Sequence, residues 1–265
     1  MAEGMSGAFR LDGRTAFVSG AAGHLGSEMV RALCEAGAHV ILNGRDDAKL
    51  KTAEDRLRKD GFSAERAAFD VGDFAAVREF FGRLPRLDVL VNNAVSMTPA
   101  PFARLDPVDF EETYASCVTA SFEAVRAARP ALRKAVAAAG DASVVNISSM
   151  YGAVSPDPRL YSSPDRASPF HYGPAKAALI QLTRHLAAEL GPERIRVNAL
   201  TPGSFPKDDV AINDPEFAGR LAAKTMLGRT GQANEIRGPL LFLASRASSY
   251  VTGTSLAVDG GWTAW

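Results

Sequence analysis

The chain is expected to fold as an α/β protein, a doubly wound, seven-stranded parallel sheet with helices on both faces. Three observations predict it. Short apolar runs rich in β-branched residues alternate with longer segments whose apolar positions recur at helical spacing. That alternation supplies seven strand candidates, and repeated β-α units imply a parallel sheet covered on both sides. A glycine-rich turn, residues 19–26 (SGAAGHLG), joins the first run directly to an amphipathic helix.

In order, the strand candidates are residues 15–18, 39–42, 64–69, 89–91, 143–147, 196–199 and 255–258. Between the first two, Met29, Val30, Leu33 and Cys34 form one apolar stripe, and Gly37 stands where a helix C-terminus accepts a left-handed residue. Alanine-rich residues 135–140 read as the end of a long helix. Residues 155–169 (SPDPRLYSSPDRASP) carry four prolines and cannot be a regular helix or central strand; residues 204–215 read similarly. Both follow a strand's carboxyl end, where open α/β sheets bind ligands, so they are expected to wall a substrate site.

At 265 residues the length alone would allow two small domains, but α/β folds of this size form one unit. One domain over residues 10–265 is expected, after a flexible tail at 1–9. Thirty basic and thirty acidic residues cancel, which leaves no field for holding nucleic acid or an anionic membrane. No stretch has the roughly 18 consecutive apolar residues of a membrane span, and the opening residues MAEGMSGAFR lack the apolar core expected of a secretory signal. Cys34 and Cys117, with four histidines elsewhere, suggest neither a metal site nor a disulfide framework, so a reducing, cytoplasmic setting is expected.

The turn Ser19-Gly20-Ala21-Ala22-Gly23-His24-Leu25-Gly26 opens a helix, and small residues there let the backbone approach a pyrophosphate while the helix N-terminus favours its charge. A dinucleotide site of the Rossmann type follows. The second strand ends Leu42-Asn43-Gly44-Arg45 without the acid that would accept from a ribose 2′-hydroxyl, and Arg45 can fork onto a 2′-phosphate. NADP(H) is therefore favoured, with NAD(H) the alternative if Arg45 pairs on the surface with Asp46 or Asp47. Asp70, after the third strand, and Asn93 with Ala94, after the fourth, border the same groove or serve as turn residues.

Tyr172 has a lysine four residues on, Lys176, with Pro174 fitting a first helical turn. The pair shares one helical face. A phenol titrates near about 10, so it becomes an acid/base group at neutral pH only beside a cation that favours its anion. The strand ending Val145-Asn146-Ile147-Ser148-Ser149 brings hydroxyls to the same sheet edge, where one can donate to a substrate oxygen as charge develops; a turn-capping role is the alternative for Ser148.

Together SGAAGHLG, NNA, NISS, YGPAK, RVNALTPG and SYVTGTSLAVDGGW, in this order, resemble the short-chain dehydrogenase/reductase family from about Leu11 to Trp262. The resemblance implies hydride transfer between a nicotinamide and a carbonyl or alcohol. It makes Tyr172 the general acid/base, Lys176 the holder of the nicotinamide ribose, and Ser149 the carbonyl-orienting hydroxyl. Pro202 and Gly203 would line the nicotinamide end, and Leu25 and Val71 join the cofactor contacts. A homotetramer or homodimer is implied, with contacts near Phe242 and the C-terminal strand and tail. Four departures stand out: His24 for a glycine, Val95 for the glycine after Asn-Asn-Ala, Cys117 for an asparagine that helps hold a relay water, and a long spacing from Ser149 to Tyr172.

Asp157, Arg159, Ser162, Ser163, Asp165, Arg166, Ser168 and His171 offer polar groups for a small sugar-like or sugar-acid substrate. A 3-oxoacyl thioester reductase is the alternative enzyme and would want a more apolar wall. A cofactor-binding sensor or assembly subunit without turnover is the rival from another class, favoured by the departures and opposed by the intact Tyr172, Lys176 and Ser149; a methyltransferase would have no use for that trio.

Overall fold

The computed structural model describes residues 6–98 and 100–265. In chain order it contains β1 (Thr15–Val18), α1 (His24–Glu35), β2 (His39–Gly44), α2 (Asp47–Lys59), β3 (Ala64–Ala68), α3 (Phe74–Arg83), β4 (Val89–Asn92), α4 (Pro107–Tyr114), α5 (Ala120–Ala139), β5 (Ala142–Ile147), α6 (Tyr172–Leu190), β6 (Ile195–Pro202), α7 (Asp208–Asn213), α8 (Pro215–Ala223), α9 (Arg237–Ala244) and β7 (Ser255–Val258). All strands are parallel in the order β3-β2-β1-β4-β5-β6-β7. The order reverses beside β1, and the crevice opened there at the carboxyl edge is where such sheets take a ligand.

Side chains on the inner strands alternate between two cores. Ala16 and Val18 of β1, Val40 and Leu42 of β2, Val89 and Val91 of β4 and Val145 of β5 join one core with residues of α1, α2 and α9. Phe17, Ile41, Leu90 and Val144 point the other way, toward α3, α5 and α6. A strand buried on both faces needs apolar residues at successive positions, which is what the runs of β1, β2, β4 and β5 supply; β3 and β7, at the sheet edges, are less buried.

Helix ends follow their local chemistry. Gly37, at φ +100, ends the turn after α1, and Gly140, at φ +88, caps α5 in the left-handed region. Asp46, Asp73, Asp106 and Asp214 accept backbone N–H bonds at the starts of α2, α3, α4 and α8. Between α4 and α5 the chain widens into a π-helical turn, Ala115–Thr119, that holds Cys117.

The proline-rich stretch 155–169 contains only two short 3₁₀ turns, Pro158–Leu160 and Pro164–Arg166. Residues 204–215 depart from expectation, because α7 fits between the prolines at 206 and 215. Of the tail at 1–9, residues 1–5 lie outside the described residues, and Gly7–Phe9 forms a 3₁₀ turn. No described helix is long and apolar enough to cross a membrane.

Candidate active site

The glycine turn after β1 folds back on itself. Gly20 sits at φ +63, and a Cβ on Gly26 would lie 2.1 Å from the Gly20 carbonyl oxygen, so only glycine lets α1 start this close to the strand. The turn is tied to the end of β4. Ser19 Oγ accepts from the backbone N–H groups of Asn93 (2.9 Å) and Ala94 (3.0 Å), and Asn93 Nδ2 donates to the carbonyls of Ser19 and Gly20. Gly23 is the N-cap of α1, and Leu25 is half-buried in its first turn.

Beside this turn lies a cavity of about 270 Å³ lined by Gly20, Gly23, Asn43, Gly44, Arg45, Phe69, Asp70, Val71, Asn93, Ala94, Val95, Ser96 and Ser116. It unites most of the cofactor residues expected from sequence and adds Gly44, Phe69, Val95, Ser96 and Ser116. Val95 and Ser96 continue the Asn93-Ala94 edge and could have been read from it; Ser116, from a distant helical turn, could not. Asn43 donates from Nδ2 to the carbonyls of Ala67 and Phe69, while its buried Oδ1 has no partner among the described residues.

Arg45 pairs with neither expected neighbour. Asp46 caps α2, Asp47 pairs with Arg66, and the exposed Arg45 guanidinium stands 3.8 Å from Asp70. It remains free to turn onto a ligand. A cradle of glycines at a helix N-terminus, an unpartnered amide oxygen and an unpinned guanidinium fit the adenosine phosphate end of a dinucleotide.

The catalytic candidates come together at the carboxyl edges of β5 and β6. Tyr172 is the first residue of α6, and the Lys176 ammonium lies 5.5 Å from the centre of its ring, on the same helical face. Lys176 is 2% exposed and donates to the Ile147 carbonyl at 2.7 Å, while its own carbonyl accepts from Ser148 Oγ at 2.8 Å. Ser148 is thereby committed to the helix. Ser149 Oγ accepts from the Tyr151 N–H at 3.1 Å, which leaves its own O–H to donate elsewhere. Pro202 ends β6, and the Gly203 N–H donates to the Val258 carbonyl at 2.9 Å.

The insertion lines a second cavity of about 760 Å³, with Pro101, Phe102, Tyr151, Val154, Tyr161 and Phe170 among its walls. Gly173, Pro174 and Ala177 supply its α6 side. At about 100° per residue, Pro174 and Ala177 lie well around the helix from Tyr172 and Lys176, and neither of the latter lines this cavity. Ser162, Ser163 and Ser168 reach this cavity, but the charged groups expected to meet substrate do not line it. Asp157 is held by Arg159 and Lys224, Asp165 by Arg104, and Arg166 by Asp214. His171 is fully buried and also faces protein groups. Among the described residues, no cluster of three or more His, Cys, Asp or Glu is arranged to hold a metal ion.

A family profile described as "Enoyl-(Acyl carrier protein) reductase" matches residues 20–263. A galactitol 2-dehydrogenase (L-tagatose-forming) of Cereibacter sphaeroides is 37% identical over 264 residues, covering 97% of this chain and 98% of that one. A rhamnolipids biosynthesis 3-oxoacyl-[acyl-carrier-protein] reductase of Pseudomonas aeruginosa is 34% identical, covering 96% and 97%. The crystal structure of a gluconate 5-dehydrogenase from Burkholderia cenocepacia, in complex with NADP and tartrate, superposes with a TM-score of 0.86 at 33% identity, covering 99% of this chain and all of that one. With this likeness along nearly its whole length, on this sheet and around this glycine turn, the chain belongs to the short-chain dehydrogenase/reductase family.

Proposed function

We propose that the protein is an NADP(H)-dependent oxidoreductase that interconverts a carbonyl and an alcohol on a small, hydroxylated, sugar-like substrate, with Tyr172 as general acid/base. The observation that carries the reading is the pairing of Tyr172 with a buried Lys176 whose ammonium and carbonyl are both bonded to the strand end that presents Ser149. Gly20, Gly23, Leu25, Gly26, Asn43, Arg45, Asp70, Val71, Asn93 and Ala94 would hold the adenosine and phosphate end of the cofactor, and Lys176, Pro202 and Gly203 its nicotinamide end. When bound, the nicotinamide supplies or accepts the hydride.

The chain's own groups manage the proton and the oxygen. Ser149 donates its free O–H to the substrate oxygen, and Tyr172 gives that oxygen a proton in reduction or takes one in oxidation. Lys176 offsets the negative charge that the phenol oxygen gains as its proton leaves. Relatives and solved neighbours named for galactitol and gluconate support the sugar-like substrate, and NADP in a neighbour supports the cofactor choice. A 3-oxoacyl thioester is the second reading, favoured by the Pseudomonas relative.

The protein is further proposed to act in the cytosol as a homotetramer or homodimer. Phe242, Leu256 and Val258 pack on the first core, while Met226, Leu227 and Trp265 stay exposed and support an interface at this end.

The test is a cofactor-linked absorbance screen of polyols, ketoses, sugar acids and oxoacyl thioesters with both nicotinamides. Turnover on the hydroxylated set with NADP(H) is expected, and preference for thioesters selects the second reading. Tyr172→Phe should lose at least about 100-fold in kcat, the scale of general acid/base catalysis, with cofactor affinity retained. Unchanged turnover would end the mechanism.

A further inference from the structure

His171 directly precedes Tyr172 and has no exposed surface. Its Nδ1 lies 2.9 Å from Thr113 Oγ1 of α4, and its Nε2 lies 3.2 Å from the Thr98 carbonyl, in the segment that follows β4. The Phe110 ring meets it edge-on at 5.8 Å. With the ring proton on Nε2 both contacts are satisfied: Nε2–H donates to Thr98, and Nδ1 accepts the Thr113 hydroxyl proton. One imidazole thus joins three separate stretches of chain.

The segment it grips is the one that borders the cofactor cavity. Ser96 lines that cavity; its N–H donates to Ser116 Oγ at 3.0 Å, and its carbonyl accepts from the same hydroxyl at 3.1 Å. Thr113 Oγ1 also lies 3.3 Å from the Ser96 carbonyl. Residues 95–98 are therefore pinned to the region of α4 at one end and to the start of the catalytic helix at the other. The second pin is polar at His171 and apolar at Val95, which packs against the cluster of Cys117, Ala175 and Leu179.

We propose that His171 is a positioning residue: it holds residues 95–98 against the N-terminus of α6 so that the wall of the binding groove and Tyr172 keep a fixed separation. The proposal rests on the oxidoreductase reading for its kinetic consequences but not for its structural one. The residue acts through Thr98, Thr113 and its neighbour Tyr172 rather than by touching substrate.

The experiment compares His171→Phe, His171→Gln, Thr113→Val and the double variant Thr113→Val/His171→Phe. Phenylalanine keeps the ring against Phe110 and removes both polar contacts. It should raise the substrate KM about tenfold, the scale of one lost buried hydrogen-bond network, with kcat changed much less. His171→Gln should recover most of the loss, and the double variant should be no worse than His171→Phe, because the two side chains form one link. Hydrogen exchange supplies a readout independent of turnover: amides of residues 95–98 should exchange faster in His171→Phe while the body of α6 is unchanged. Wild-type KM and wild-type exchange in His171→Phe would overturn the proposal, as would a loss that merely follows a lower Tm of the whole protein. If no substrate is turned over but exchange responds as described, the clamp stands and the oxidoreductase reading fails.

Discussion

At the scale of single residues, Arg45 governs the proposed choice between the two nicotinamides. It directly follows β2, whose end carries no acidic residue, and its ion-pair partner among the described residues, Asp70, is 3.8 Å away and also accepts the Gly72 N–H. A pair this loose and exposed contributes little to stability, so redirecting the guanidinium onto a phosphate costs little. Arg45→Ala should lower kcat/KM for NADPH by about 10- to 100-fold, the range of one or two charge-assisted hydrogen bonds, and leave NADH nearly unaffected. Equal losses with both cofactors in steady-state kinetics would refute this role. The sequence could offer Arg45 as a phosphate ligand because strand termini are legible locally; that Asp46 and Asp47 are spent on a helix cap and on Arg66 could not be read from it.

Among the elements, the junction of α6 with the turn after β5 carries the geometry of the site. A Cβ on Gly152 would lie 2.8 Å from the Lys176 carbonyl carbon and 2.9 Å from its oxygen, so the turn and the helix touch backbone to backbone. Gly152→Ala must push them apart and stretch the two hydrogen bonds that Lys176 shares with Ile147 and Ser148. A displacement approaching 1 Å at a reacting group costs on the order of 100-fold in rate. We expect kcat to fall at least about tenfold while cofactor affinity, measured by fluorescence titration, holds within about twofold. A variant with wild-type kcat would show that the contact does not set the catalytic geometry. The Tyr172–Lys176 face was legible because a four-residue spacing is a property of any helix; the Gly152 contact, between residues 24 apart in sequence, was not.

Over the whole molecule, the two edges of the sheet have different tasks. The amino edge is held by buried and half-buried charges, with Arg14 and Arg86 on Asp88, and Arg14 and Arg196 on Asp141. The carboxyl edge carries small, hydroxyl and amide side chains beside the charged Arg45, Asp70 and Lys176. On the helical layer formed by α5 and the turn after α6, Arg129 and Arg133 both clamp Glu193 and hold its carboxyl down to about 2. A free glutamate titrates near about 4.3, so the clamp's contribution is complete above that value and is lost as pH falls through the folded value. Urea unfolding between about pH 2 and pH 6 should show wild type more stable than Glu193→Gln at the upper end, with the two converging at the lower. A gap independent of pH would mean that the carboxylate charge plays no part.

The sequence by itself determined the seven strands, the glycine turn, the helix carrying Tyr172 and Lys176, and the proline-rich break, because each follows from periodicity or turn chemistry within about a dozen neighbouring residues. Only the tertiary structure decided that His171 turns inward to Thr113 and Thr98, that Asp157, Asp165 and Arg166 are consumed in ion pairs, that Ser148 serves α6 while Ser149 keeps a free proton, and that α7 forms between two prolines. For the side chains, the physical reason is that a polar group's role depends on which partner reaches it first. The crossovers of the sheet, not the neighbours in sequence, bring those partners within reach.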